Sequence, residues 1–276
     1  MCLNPDSYIF KIVRRIFTFL FARPSMQNWN DLILNLALHG RGYNNCCTFK
    51  ATGEEIFLKI LSTHHPKVCI DIGANIGLYS RWLLLNTNAK VYAFEPMPTS
   101  FQKLSELQNE FPGRLIAINE GVGNITGDFE IHFGDDDSEL ASFSKEIIGI
   151  DFLSRKNINS KKLPVTTLDS ALNLLAVSFA EIDLLKIDTE GFEFEVLDGA
   201  RDTILKFKPK FIHLEFNRHQ LFKLHSIYLF SSMLVNYTCY QLLPYGKGLI
   251  KRDPRIGESN IYLYSNFVFV RSDITI

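Results

Sequence analysis

An α/β fold, a largely parallel sheet with helices on both faces, is what this sequence predicts, and three observations predict it. A short apolar run of Val68, Cys69 and Ile70 passes through Asp71 into Gly73, Ala74, Asn75, Ile76 and Gly77, and then into residues at helical spacing. That order reads as a strand turning tightly into a helix. Further along, apolar runs alternate with helical patterns, which argues for βαβ units and a parallel sheet. Finally, 276 residues of which 46% are hydrophobic can bury a core large enough for one such domain with additions.

Residues 8–23 (YIFKIVRRIFTFLFAR) come first. Lys11, Arg14, Arg15 and Thr18 recur at helical spacing within a dense apolar background, which makes an amphipathic helix with a narrow basic face. The segment is too short and too charged for a bilayer span of about 20 apolar residues. Basic residues inside the apolar run also fit a secretory signal poorly. Two uses suit it: peripheral contact with an anionic membrane surface, or packing on the domain or a partner subunit, the commoner fate of such helices. Two more helical patterns lie between Trp29 and Leu61, parted by a Gly/Asn/Cys-rich break at 40–47. Residues 1–62 thus read as an N-terminal helical extension and 63–276 as the main domain. The paired His64 and His65 before the first strand suit a solvated loop better than a metal site, since no second ligand cluster is near them in sequence.

Strands are expected at 67–72, 90–94, 115–119, 182–187 and 210–216, with helices near 77–86, 98–110, 191–206 and 219–234. Two antiparallel-looking strands, about 238–243 and 261–270, close the chain. Residues 128–133 (DFEIHF) alternate polar and apolar as an exposed strand does. Residues 134–163 then read as a polar loop of a length that is usually functional or disordered. Its Asp135, Asp136 and Asp137 read as a solvated charge run rather than a cation site.

A formal net charge of −1 gives no global field to recruit nucleic acid or acidic partners. Five cysteines without a C-x-x-C pair or metal spacing suit a reducing, cytoplasmic compartment.

The glycine loop carries the chemistry. Gly73 and Gly77 lack a Cβ, so the chain can take positive φ and a ligand can lie against the backbone. The helix that follows offers unpaired N–H groups and the positive end of its dipole. A dinucleotide loop would want G-x-G-x-x-G to set a pyrophosphate on the helix N-terminus. Here the order is Asp71-x-Gly73-x-Asn75-x-Gly77, with a carboxylate where that anion would be repelled. An acid there suits a ligand with a cationic end. S-adenosylmethionine has an ammonium and a sulfonium, and its ribose diol wants a second acid. Glu95 closes the next apolar run, Val91 to Phe94, close to the roughly 20-residue spacing of a ribose-binding acid.

Later motifs sharpen this reading. Val165-Thr166-Thr167-Leu168-Asp169 is followed by Ile182-Asp183-Leu184-Leu185-Lys186-Ile187-Asp188-Thr189-Glu190-Gly191, then by Glu193, Glu195, Val196, Leu197, Gly199 and Ala200. Together with the glycine loop and Phe94-Glu95-Pro96, these closely resemble the FkbM family of S-adenosylmethionine-dependent methyltransferases, over about residues 68–270. The resemblance implies a class I methyltransferase fold, a Rossmann-like and mostly parallel seven-stranded sheet whose last strand is antiparallel. It implies O-methyl transfer to hydroxyls of sugars, glycans and natural products. By position, it implies that Asp71, Gly73, Ala74, Asn75 and Gly77 line the methionine end. Glu95, beside Pro96, would take the ribose hydroxyls, and Glu120 or Gly121 would touch adenine.

The residues support a compatible reading on their own. Ligands of open parallel sheets sit beyond the carboxyl ends of the strands, where Asp188 and Glu215 fall along with Asp71 and Glu95. Lys186 and Asp188 share one side of their strand, and a lysine in an apolar strand needs an acid partner. Methyl transfer is an in-line displacement, so an enzyme mainly aligns the acceptor oxygen and removes its proton. Asp188 is the first choice for that base, then Glu190 and Glu215. The competing account makes Lys186, Asp188 and Glu190 a structural ion network. Asp188, Glu190, His213 and Glu215 also include ligand types of a divalent ion, but no metal is expected to be required. The basic stretch of Gly246, Lys247 and Gly248 with Lys251, Arg252 and Arg255 reads as a solvated hairpin rather than a contact for an acidic acceptor. The expected partner is a small-molecule or glycan acceptor. The rival functions are a nicotinamide-dependent oxidoreductase, disfavoured by Asp71 and the missing third glycine, and a non-catalytic cofactor-binding scaffold docking through its N-terminal helix.

Overall fold

The computed structural model describes residues 7–134, 141–144, 159–175 and 177–276. Asp135, Asp136 and Asp137 lie outside the described residues. Helices α1 (Tyr8–Phe21), α2 (Gln27–Gly40), the short α3 (Phe49–Thr52) and α4 (Glu54–Thr63) precede the first strand. Side-chain caps set two of these starts: the Ser7 hydroxyl accepts from Phe10 N–H at α1, and the Thr48 hydroxyl from Ala51 N–H at α3. The chain then runs through β1 (Val68–Ile72), α5 (Leu78–Asn86), β2 (Lys90–Phe94), α6 (Pro98–Glu110) and β3 (Leu115–Ile118). Next come β4 (Gly121–Val122), β5 (Gly127–Phe133), β6 (Asn159–Thr166), α7 (Leu168–Leu174) and β7 (Leu184–Ile187). Helices α8 (Glu193–Asp198) and α9 (Arg201–Phe207) lead to β8 (Phe211–Phe216). Helices α10 (His219–Phe222) and α11 (Ile227–Met233) lead to β9 (Tyr237–Leu243), β10 (Gly248–Lys251) and β11 (Ser265–Arg271).

The main sheet has the order β3-β2-β1-β7-β8-β11-β9-β10. Strands β3, β2, β1, β7 and β8 are parallel, and β11 runs antiparallel between β8 and β9. The strand order reverses between β1 and β7, which puts a binding crevice beyond their carboxyl ends. This is the expected Rossmann-like, class I arrangement with one difference, eight strands in place of seven. The addition is β10. Tyr245, Gly246 and Gly248 take positive φ of 56°, 70° and 102°, which turns the chain back on β9, so the hairpin expected there pairs as an edge strand.

Alternation along the strands divides the core. Ile70, Ile72, Leu185, Ile187, Ile212 and Phe267 meet Leu172, Val196, Leu197, Phe207 and Phe230 from α7, α8, α9 and α11. On the other face, Cys69, Val91, Leu184, Phe211 and Val268 meet Phe57, Leu58 and Leu61 of α4, Leu83 of α5 and Leu104 of α6. Each such side chain contributes about 1.5–3 kcal/mol when fully buried. With three of them, α4 is a component of the main core, and the boundary expected at residue 62 cuts through it. By contrast, no residue of α1 is buried; the helix rests against α2, where Asn30 Nδ2 donates to the Phe21 carbonyl. Among the described residues, no helix is long and apolar enough to cross a membrane.

Three other expectations need correction. The single helix expected at 191–206 is two, parted at Gly199 and Ala200, where the backbone closes on the loop after β4. The helix expected at 219–234 is also two. Leu224 takes a left-handed φ of 59°, and Ser226 starts α11 by accepting from Leu229 N–H. The end of the loop expected at 134–163 is β6, paired along β5 and sending Leu163 and Val165 into a small core with Ile131, Phe143 and Phe192. Its Pro164 precedes the two residues that pair with β4, so it sits on an edge, where proline is tolerated.

A Cβ at Gly199 would lie 1.9 Å from the Gly123 carbonyl oxygen. Gly199→Ala is therefore expected to destabilise the protein by about 1–3 kcal/mol or more, read as a lower urea midpoint at unchanged slope. An unchanged midpoint would mean that this approach is not close.

Candidate active site

A cavity of about 630 Å³ opens at the carboxyl ends of β1, β2, β7 and β8, within the range of roughly 300–1,000 Å³ typical of small-molecule sites. Its first wall is the loop from β1 to α5, which turns on Gly73, Asn75 and Gly77 with φ of 77°, 49° and 85°. The N–H groups of Gly73 and Ala74 both donate to the Phe94 carbonyl, at 3.0 and 2.9 Å, tying the loop to the end of β2. A Cβ at Gly73 would lie 1.7 Å from the Asp188 carbonyl oxygen. Glycine is required there for the end of β1 to press on the end of β7.

Gly73, Ala74, Asn75, Glu95, Pro96, Glu120 and Gly121 all line the cavity. Two others do not. A Cβ at Gly77 would meet Leu107 and Leu104 of α6 at 2.7 and 2.9 Å, so this glycine serves helix packing. Asp71 lies beneath the cavity with its side chain fully buried. Its Oδ2 accepts from the Ser80 hydroxyl at 2.7 Å, and its Oδ1 stands 3.6 Å from Lys186 Nζ. Strand alternation could not show that this acid faces a lysine on the neighbouring strand rather than the ligand.

Glu95 binds the loop to its own strand end. Its Oε2 accepts from Asn75 N–H at 2.8 Å and its Oε1 from Met97 N–H at 2.7 Å. Burial pushes its carboxyl up to about 7, against the downward pull of these two bonds.

The opposite wall is charged. Lys186 Nζ donates to Asp188 Oδ2 at 3.1 Å and lies 4.9 Å from the centre of the Tyr79 ring. Burial opposes its charge, but Asp188, Asp71 and Glu54 outweigh burial and hold the ammonium above the ordinary lysine range. Glu54, at the start of α4, accepts from the Thr52 hydroxyl at 2.8 Å, and burial raises its carboxyl to about 7. Asp188, Glu190 and Glu215 each bring an oxygen into one cluster, all within 4.8 Å of one another. Asn217 Nδ2 donates to Glu215 Oε1 at 2.7 Å and to Glu190 Oε2 at 3.4 Å. Burial first, then the charges of Asp188, Glu190 and Glu193, pushes Glu215 well up. Three acids so close keep a proton among them or share a cation, and an oxygen set of this kind suits a magnesium-type ion.

His213 does not join that set. It is buried among side chains, its Nδ1 paired with the Tyr79 hydroxyl and its Nε2 with Asn266 Oδ1, both at 3.0 Å, and burial keeps it neutral with a pKa of about 3. The remaining acid of the motif, Glu193, is a clamp. It accepts from Thr189 and Gly191 N–H at 3.0 and 3.1 Å and so holds the turn in which Glu190 takes a φ of 50°. Sequence reasoning missed Glu54, Tyr79 and Tyr264, and the N-terminal wall of Asn44, Cys46, Cys47 and Phe49. Tyr79 ends the glycine-loop stretch without a signal of its own, the others belong to no motif, and nothing in the sequence separates Glu54 from its neighbour Glu55.

A family profile described as the Methyltransferase FkbM domain matches residues 71–234. Hexuronic acid methyltransferase AglP of Haloferax volcanii is 25% identical over 154 residues, 55% of this chain and 58% of that protein. The 2-O-methyltransferase NoeI of Sinorhizobium fredii is 26% identical over 170 residues, 56% of this chain and 65% of that protein. The chain thus spans less than two thirds of the length of these curated relatives. A crystal structure of methyltransferase FkbM from Methylobacillus flagellatus matches with a TM-score of 0.45 at 17% identity, covering 74% of this chain and 43% of that one.

Removing the ammonium would leave Asp71 and Asp188 facing each other without a counter-charge. Lys186→Met is expected to lower the unfolding free energy by about 3–5 kcal/mol, measured by urea denaturation. A variant as stable as the wild type would mean that the ion cluster is not what holds β1 to β7.

Proposed function

Because the chain belongs to the FkbM methyltransferase family, we propose that it transfers a methyl group from S-adenosylmethionine to a hydroxyl of a sugar or glycan. The observation that carries this reading is one cavity with two chemically different walls, the loop of Gly73, Asn75 and Glu95 on one side and Asp188, Glu190 and Glu215 on the other. The names of AglP and NoeI, a hexuronic acid methyltransferase and a 2-O-methyltransferase, support a sugar hydroxyl as the acceptor.

The loop side fits the donor. Asn75 Oδ1 is a buried acceptor without a hydrogen-bond partner among the described residues, and an ammonium or hydroxyl ligand would satisfy it. Each oxygen of Glu95 has one backbone donor and retains a lone pair for a ribose hydroxyl. When bound, S-adenosylmethionine supplies an electrophilic methyl on its sulfonium. The chain's own residues then have to align the acceptor oxygen and take its proton. Asp188 is the first choice for the base, oriented by Lys186, with Glu190 next. Burial first, then its acidic neighbours, pushes the Glu215 carboxyl well up, which makes it the least suited of the three acids to remove the acceptor's proton. Lys186 is a positioning residue.

Calorimetric titration with S-adenosylhomocysteine tests the donor site, with NADH as the control for a nicotinamide site. Binding is expected for the first ligand only, weakened about tenfold or more by Glu95→Gln. The ribose favours the ionised carboxylate. Below a pKa of about 7 a proton must be lost on binding, so affinity is expected to rise with pH up to that value, by at most about tenfold per unit, and to level off above it. The Glu95→Gln variant should show no such rise. Failure of well-folded protein to bind would favour the scaffold reading.

Methyl transfer is expected to proceed without an added divalent ion. Turnover that is lost in a chelator and restored by magnesium would assign Asp188, Glu190 and Glu215 to a metal instead.

A further inference from the structure

Helix α1 uses one side and leaves the rest uncovered. At about 100° per residue, Lys11, Arg14, Arg15 and Thr18 fall within one arc, and the other positions of the helix are apolar. Phe17 and Phe21 stack with ring centroids 4.5 Å apart and face a shallow groove shared with Asn30, Ile33 and Leu34 of α2. Asn30 Nδ2 donates to the Phe21 carbonyl at 3.0 Å, fixing the two helices together. The arc of Ile9, Ile12, Val13, Ile16, Phe19 and Leu20 remains exposed, Ile9 at 69% and Phe19 at 72%. Trp29, Leu32 and Leu36 of α2 are exposed as well. An apolar area of this extent on one hairpin marks an interaction surface.

We infer that the α1–α2 hairpin docks on an anionic lipid bilayer, with α1 lying in the interface plane, its apolar arc at the headgroup–acyl boundary and Lys11, Arg14 and Arg15 among the headgroups. Charge chooses this occupant. Helix α1 carries three basic residues and no acidic one, and Arg23 follows it with its guanidinium 5.6 Å from the Phe19 ring centre. A helix lying in the interface plane would seat its apolar arc toward the acyl chains and leave these cations at the level of anionic headgroups, which complement them. The geometry fits lying on a membrane rather than crossing one: the 14 residues of α1 extend about 21 Å, short of the roughly 30 Å hydrocarbon layer. The inference stands apart from the proposed methyl transfer, which the ligand titration tests separately.

Co-sedimentation of the full chain with vesicles tests it. Vesicles of phosphatidylcholine containing a minority of phosphatidylglycerol are expected to carry the protein into the pellet, and vesicles of phosphatidylcholine alone are not. Lys11→Glu, Arg14→Glu and Arg15→Glu combined should weaken partitioning on the order of a hundredfold or more. Ile16→Ser with Phe19→Ser should also abolish pelleting. Both variants are expected to keep the wild-type melting temperature and S-adenosylhomocysteine affinity, because no residue of α1 is buried. Wild-type protein that stays in the supernatant, or that binds both vesicle types equally, would overturn the inference. So would an oligomer in solution that the Ile16→Ser, Phe19→Ser variant converts to monomer, since the face would then be covered by another copy.

Discussion

A buried ammonium is tolerated only while carboxylates stay beside it, because its desolvation costs several kcal/mol even after the protein relaxes. Lys186 imposes that condition on several elements at once. Its own strand supplies Asp188, β1 supplies Asp71, and α5 supplies Ser80, which takes the other oxygen of Asp71. Tyr79, also on α5, lies against the ammonium and pairs its hydroxyl with His213 on β8. Three neighbouring strands and the helix after the glycine loop are thereby held around one charge. The absence of a side chain at Gly73, where a Cβ would overlap the Asp188 carbonyl, belongs to the same arrangement.

What surrounds that charge decides the character of the cavity. Lys186 is committed to Asp71 and Asp188, yet Glu54, Glu95, Glu190 and Glu215 also line the same space. Burial raises Glu54 and Glu95 to about 7 and Glu215 well above its usual range. A site of this kind carries protons that can be exchanged for a cationic ligand, and it presents many acceptors to hydroxyl groups. It is poorly suited to a pyrophosphate. Asp71 acts on this space only indirectly: it lies beneath the cavity against Lys186, and the acids gathered around that lysine give the cavity its character.

The fold was legible in the sequence wherever environment was uniform along an element. Strands β1, β2 and β8 are buried along nearly their whole length, and their observed bounds differ from the expected ones by a residue at most. Strand β6 was not legible, because Lys161, Lys162 and Pro164 flank its two inward residues, Leu163 and Val165. Nor were the breaks at Gly199 and Leu224, where a helical pattern continues across a residue whose backbone does not. In the site, the residues that sequence pattern singled out come together, nearly all of them lining one cavity. Depth was the missing information. Asp71 and Asp188 both face Lys186, at 3.6 and 3.1 Å, but only Asp188 also reaches the cavity, and period-two alternation does not tell how far beneath a ligand site a carboxylate lies.

The outer wall of the cavity obeys different constraints from its floor. The segment after α2 is tied to the far end of the sheet: Asn44 N–H donates to the Tyr264 carbonyl at 2.8 Å, the Ser265 hydroxyl to the Gly42 carbonyl at 3.1 Å, and Arg41 to the Glu258 carbonyl at 2.8 Å. These bonds run mostly to backbone groups, so they hold the path of the chain while saying little about the side chains it carries. Asn44, Cys46, Cys47 and Phe49 are presented to the cavity on that path. Phe49 joins this wall to the Lys186 cluster, its ring meeting Tyr79 edge-on with centroids 6.0 Å apart. The two parts are held differently: the floor by charges that fix one another's identity, the wall mainly by the backbone bonds of the segment that carries it and by the Phe49 ring.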